Sequence, residues 1–123
     1  KIALSLRENQ KVLSVNYPGL VDSRYHLVAK EQFGSKFGAI LTIRVGSKEN
    51  AFKVINHLTF ASNLANIGDA RTLVIHPAST IYATNSIDEK EKMGVYEDLI
   101  RISVGLEDIE DLEEDFEQAL GQI

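Results

Sequence analysis

Eight of the chain's 18 acidic residues fall between Glu107 and Glu117, and no lysine or arginine follows Arg101. Threaded through this run are Ile109, Leu112, Phe116 and Leu120, spaced three or four apart. The spacing predicts a helix from about Asp108 to Leu120 with one apolar stripe. Its early acids complement the positive end of the helix macrodipole, and the Glu and Asp run as a whole reads as a solvated face. Such a helix must lay its stripe on another element. The segment just before it supplies one. In Leu99 to Val104, Ile100, Ile102 and Val104 point one way while Leu99, Arg101 and Ser103 point the other. The first face suits a core beneath the final helix, and Gly105 turns the chain between the two elements.

The rest of the chain supplies further layers. Lys1 to Lys11 reads as the end of a helix, with Ile2, Leu6 and Leu13 on one side. Lys11 to Tyr17 suits a short strand that Pro18-Gly19 stops with turn chemistry. Asp22 to Glu31 reads as a short helix ending near Gly34. Phe37 to Val45 is a strand, with Leu41, Ile43 and Val45 on one face and Ile40, Thr42 and Arg44 on the other. Ser47 is a good N-cap for a helix with Ala51, Ile55 and Leu58 inward and Phe52 widening the stripe. A short strand is expected near Phe60 to Ser62 and another at Thr72 to His76, closed by Pro77. Ser86 or Asp88 caps a short helix through Met93, which Gly94 ends. The order of elements predicts an α+β fold, a mostly antiparallel sheet with helices packed on one face.

Composition limits what this fold serves. At 123 residues, 44% apolar and 25% charged, the chain makes one ordinary domain with one core. No apolar run approaches the ~20 residues of a membrane span. Lys1 is not a natural start, so the chain is expected to begin inside a longer protein. The absence of cysteine excludes disulfides, a thiol nucleophile and thiolate metal sites, and fits a reducing compartment. Residues 1–106 carry all 13 Lys and Arg against 10 acids, but the bases are scattered, which speaks against nucleic-acid binding.

Few residues offer chemistry. Arg101 presents a rigid fork of N–H donors that fits a carboxylate through two parallel bonds, although a strand arginine is more often exposed or in a structural ion pair. Asn66 and Ile67 precede Gly68 in a turn where a backbone N–H and the Asn amide can donate to an anion. The blander reading is that Asn66 supports the turn. His76 is a candidate base, but a lone histidine at a strand end is more often structural. His26 and His57 lie far apart, no pair has metal-ligand spacing, and Ser79 and Thr80 have no His-Asp partners that suggest a hydrolase.

Two segments, Ala65-Asn66-Ile67-Gly68-Asp69-Ala70-Arg71-Thr72-Leu73-Val74-Ile75-His76-Pro77-Ala78-Ser79 and Leu99-Ile100-Arg101-Ile102-Ser103-Val104-Gly105-Leu106-Glu107-Asp108, carry a family resemblance. With Val15-Asn16-Tyr17-Pro18-Gly19-Leu20 and Phe37-Gly38-Ala39-Ile40-Leu41, they resemble the C-terminal domain of the pyridoxal-phosphate enzymes of cysteine and methionine metabolism. Asn66, where other branches tend to carry Ser, resembles the O-acetylhomoserine sulfhydrylase branch. Cystathionine γ-synthase and methionine γ-lyase are the neighbouring alternatives. One departure stands out. The family often reads His-Pro-Ala-Ser-Thr-Thr-His where this chain has His76-Pro77-Ala78-Ser79-Thr80-Ile81-Tyr82, so Ile81 lacks the usual hydroxyl.

The resemblance implies the small domain of a fold-type I enzyme. Residues 1–11 would be the end of an interdomain helix and 12–123 the small domain, with the large cofactor-binding domain absent. Arg101, aided by Asn66 and Ile67, would bind the α-carboxylate of the amino-acid substrate. No catalytic, cofactor-binding or metal-binding residue is carried over, and the piece alone is expected to be inactive and without cofactor. For the intact enzyme the resemblance implies pyridoxal 5'-phosphate as electron sink. The reaction is γ-replacement of the acetate of O-acetylhomoserine by sulfide or a thiol, giving homocysteine for methionine biosynthesis. A cytoplasmic homotetramer is expected, with neither nucleic acid nor membrane as partner. Two other classes remain beside it: a standalone amino-acid-binding module without catalysis, and a purely structural or interaction domain.

Overall fold

The computed structural model describes residues 1–123. In chain order the elements are α1 (Ile2–Glu8), β1 (Ser14–Asn16), α2 (His26–Phe33), β2 (Ile40–Arg44), α3 (Lys48–His57), β3 (Ser62–Asn63) and β4 (Leu73–Ile75). A single 3₁₀ turn (Pro77–Ser79), α4 (Ile87–Lys92), β5 (Leu99–Ser103) and α5 (Ile109–Leu120) complete the chain. The five strands form one sheet in the order β1-β2-β5-β4-β3. All neighbours are antiparallel except β3 and β4, which run parallel. The expected α+β class with a mostly antiparallel sheet is what forms.

The core lies between one sheet face and three helices. Leu41, Ile43, Val74, Ile100 and Ile102 supply the sheet side, as alternation along each strand requires. Ile2, Ala3 and Leu6 of α1, Ala51, Val54 and Ile55 of α3, and Leu112, Phe116, Ala119 and Leu120 of α5 supply the helix side. Ser47 caps α3 by accepting from the Asn50 N–H. Ser86 and Glu89 form a reciprocal capping box on α4. The other two helices lie outside this stack: α2 buries only Ala29, and α4 only Lys90. Neither has an apolar stripe to bury.

Three expectations need correction. The first helix stops at Glu8, because Asn9 is already extended, and Leu13 is exposed rather than aligned with Ile2 and Leu6. In α3 it is Val54, not Phe52, that completes the stripe; Phe52 turns its ring edge-on to His76 instead. The acidic run is not uniformly solvated either. Asp115 is 3% exposed, and its carboxylate accepts from the Thr59 N–H and hydroxyl at one oxygen and from the Phe60 and Ala61 N–H groups at the other. At the turn from α3 into β3 the Ala61 N–H is buried and would otherwise lack an acceptor, which is costly.

Burial disfavours the charge on Asp115, but the hydrogen bonds from Thr59, Ala61 and Phe60 outweigh it and hold its pKa below the ordinary carboxylate range. In the unfolded chain the group regains its ordinary pKa. There it takes up a proton at a pH where the folded state still keeps the carboxylate. The stabilisation is therefore complete above the ordinary Asp value and lost as pH falls through the folded pKa. Asp115→Ala should lower the unfolding free energy at neutral pH by about 1–3 kcal/mol, the scale of orphaning a buried donor. It should also flatten the loss of stability below about pH 4. Urea denaturation at neutral and acid pH checks both.

Candidate functional site

The second sheet face divides in two. Toward β4 it is covered: Leu73, Ile75, Leu99 and Ser103 are buried, and the 3₁₀ turn at Pro77–Ser79 packs against β5. Toward β1 it is open. Strand register sets Asn16 beside Thr42, Thr42 beside Arg101, and Arg101 beside Ile75, so the four form one row across the sheet. Arg101 sits where the covered half meets the open half and is half-buried.

The guanidinium of Arg101 is the free cation of this face. The four ion pairs of the chain use Arg7, Arg44, Lys48 and Lys90, not Arg101. Arg44, two residues along β2 from Thr42, is bound to Asp98 through Nε at 2.8 Å and lies over the Tyr96 ring. Asp98 also accepts from the Gly46 N–H, so that charge is spent on local structure. The one bond of the Arg101 side chain runs from Nη2 to the carbonyl oxygen of Asn66, at 3.2 Å. A guanidinium bonded to a neutral carbonyl keeps its charge and most of its donors for an anion.

That bond also brings Arg101 to the turn at Asn66 and Ile67. Asn66 and Ile67 are exposed, and the turn is closed by Gly68 at φ +76°, a conformation a side chain would strain. The expected roles shift within the turn. The Asn66 N–H is already given to the Leu64 carbonyl, so it is not the free donor. The Ile67 N–H and the Asn66 side-chain amide make no bond within the chain and remain available. Arg101 and the turn it touches thus carry three donor groups with capacity to spare: the Arg101 fork, the Ile67 N–H and the Asn66 amide.

His76 takes the structural role. It is 2% exposed, and both ring nitrogens are engaged. Nε2–H donates to the Glu97 carbonyl at 2.8 Å, so Nδ1 accepts from the Ser79 hydroxyl at 2.7 Å. Thr80 donates to the His76 carbonyl at 2.8 Å. Ile81 is exposed, and this loop is closed by His76, Ser79 and Thr80 without a hydroxyl at position 81.

Glu107, which the sequence places in a solvated acidic run, and Gly105, which it marks only as a turn, hold this corner. Glu107 accepts from the Thr72 N–H and, at 2.8 Å, from the Thr72 hydroxyl, whose oxygen in turn accepts from the Gly105 N–H at 2.9 Å. Gly105 lies so close to the 70–71 backbone that a Cβ would stand 2.4 Å from the Ala70 oxygen. Its position after a strand was the available signal; read as a turn residue, it turns out to permit a close backbone approach. Gly105→Ala should destabilise the domain by about 1–3 kcal/mol, the scale of overpacking. It should also speed hydrogen exchange of the Leu106 amide, now bound to the Ala70 carbonyl at 2.8 Å. Native-state exchange measures this directly.

Comparison with known proteins gives the geometry its setting. The family described as Cys/Met metabolism PLP-dependent enzyme matches residues 1–121. O-acetyl-L-homoserine sulfhydrylase 1 of Thermus thermophilus is 45% identical over 116 residues, covering 94% of this chain and 28% of that protein. The homocysteine synthase of Schizosaccharomyces pombe is 43% identical over 120 residues, again 28% of its length. The crystal structure of an O-acetylhomoserine (thiol)-lyase from Campylobacter jejuni, carrying a pyridoxyl-lysine monophosphate, superposes with a TM-score of 0.93 at 34% identity. It covers 98% of this chain and 29% of that one. The chain therefore spans less than a third of the relatives it matches, and it belongs to the family of pyridoxal-phosphate-dependent enzymes of cysteine and methionine metabolism.

Proposed function

We propose that this chain is the C-terminal small domain of an O-acetylhomoserine sulfhydrylase and that its open corner grips the α-carboxylate of the amino-acid substrate. The segment 1–11, whose helix ends at Glu8, would then lead in from the large domain, and 12–123 would be the small domain. The observation that carries the reading is an Arg101 without an ion-pair partner, bonded to the Asn66–Gly68 turn at the edge of the open half of the sheet face. The relatives named as sulfhydrylases and homocysteine synthases support the choice of substrate.

The donors of this chain do not fit pyridoxal phosphate. Lys90 is the only buried lysine, and its ammonium is held by Glu97 at 3.1 Å. The free donors at Arg101 and Ile67 suit one carboxylate rather than a phosphate together with a Schiff-base lysine. The cofactor belongs, on this reading, to the large domain, which would close the other side of the pocket.

The work of this domain is then capture and orientation. The planar guanidinium donates two parallel bonds to the carboxylate and fixes its plane, while the Ile67 N–H and the Asn66 amide fix its direction. Holding the substrate in one pose reduces the entropy lost in the reacting complex. The net reaction is replacement of acetate at the γ carbon by sulfide or a thiol, giving homocysteine or a relative for methionine biosynthesis. A cytoplasmic homotetramer belongs to the same proposal. No helix of the chain is long and apolar enough to cross a membrane.

In the full-length enzyme, Arg101→Ala should lower kcat/KM for O-acetylhomoserine by about 1.5–3 kcal/mol, the scale of a charged hydrogen bond. The loss should fall mainly on KM. Arg101→Lys should recover little, because it loses the fork. Steady-state kinetics at varied amino-acid concentration measures this; an unchanged kcat/KM in Arg101→Ala removes Arg101 from the site.

A further inference from the structure

The Asn66 turn has no core of its own. Residues 64–71 of the loop between β3 and β4 are all exposed, and such a loop belongs to the least stable part of a fold. Yet its tip must stay within bonding distance of Arg101 if both are to grip one carboxylate. Hydrogen bonds at its base do the holding. On the outgoing limb the Leu64 N–H donates to the Val74 carbonyl at 3.1 Å. On the return limb Thr72, 0% exposed, gives both its N–H and its hydroxyl hydrogen to Glu107.

The two bonds to Glu107 are charge-assisted and bidentate, the stronger kind. The Gly105 N–H occupies a lone pair of the Thr72 oxygen, which leaves the hydroxyl hydrogen to point at the carboxylate. Glu107 thus ties the loop to the segment that leaves β5, six residues beyond Arg101. Both halves of the grip share one anchor. Burial opposes the charge on Glu107, but the bonds from Thr72 and the positive charge of Arg71 outweigh it and keep its pKa low, so the anchor stays ionised at neutral pH.

We infer that Glu107 is a positioning residue for substrate capture, clamping Thr72 so that the Asn66–Gly68 turn is preset against Arg101 before the carboxylate arrives. The inference rests on the carboxylate-binding reading of Arg101. It gives a second member of the acidic run, after Asp115, a task away from the helix surface.

Steady-state kinetics of the full-length holoenzyme with O-acetylhomoserine tests it. Glu107→Ala should raise KM by about 10- to 100-fold, the scale of an angstrom-level misplacement, with kcat within about twofold. Added to Arg101→Ala, it should cost little more, because both act on one grip. Glu107→Gln keeps an acceptor for the Thr72 N–H and should restore most of the affinity. If Glu107→Ala does not fold, Thr72→Val of matching shape serves instead and should also raise KM. An unchanged KM in the folded variant, or a cost fully additive to that of Arg101→Ala, would overturn the clamp. Arg101→Ala without effect would instead overturn the carboxylate reading itself, so the two failures are distinguishable.

Discussion

The pleat of β5 is the constraint on which the rest depends. One strand of five residues must bury Ile100 and Ile102 under three helices while holding Arg101 toward the opposite face. A side-chain period of two makes that possible, and it also makes register unforgiving. A slip of one residue would send the guanidinium into the core and an isoleucine into the site. Register is secured from both sides, because β5 pairs with β2 over five residues and with β4 over three. Being central, the strand has no free edge to drift along. Substrate capture, on the reading proposed here, takes its precision from the strand that also carries the core.

Acidic side chains reinforce that arrangement where apolar packing cannot reach. The turn entering β3 and the loop entering β4 both bring backbone N–H groups into or near the interior. Asp115 reaches back from α5 to satisfy the first, and Glu107 reaches back from the β5–α5 connection to satisfy the second. Each carboxylate stays charged because the hydrogen bonds it accepts outweigh the cost of burial. Both come from the terminal acidic run. Its remaining members cover the outer face of α5, so one stretch of sequence provides a solvated surface and two interior clamps.

Legibility in the sequence followed locality. The α5 stripe, the alternation of β2 and β5, the Ser47 cap and the Gly68 turn all depend on residues within a few positions of one another, and all could be read. Leu13 and Phe52 were misread because a linear pattern cannot tell a helix that continues from one that stops, nor a core ring from a ring placed against His76. Asp115 was lost in its run because the donors it serves are more than fifty residues away. The pairing of Arg101 with the Asn66 turn spans 35 residues; resemblance to a family suggested a shared ligand, but not that the Asn66 carbonyl would accept from the guanidinium.

By itself the sequence determined the class of the fold, the face of each main element and the candidacy of Arg101, because periodicity and side-chain chemistry are local properties. The tertiary structure decided which charges are spent and which are free. Arg44 and Arg101 share a sheet face and look equivalent in a line of text. Folding sets Asp98 and Tyr96 against the first and only a carbonyl against the second. It likewise decided which N–H of the turn is left to donate. Availability of a donor depends on what lies within three angstroms of it, and chain topology sets those neighbours.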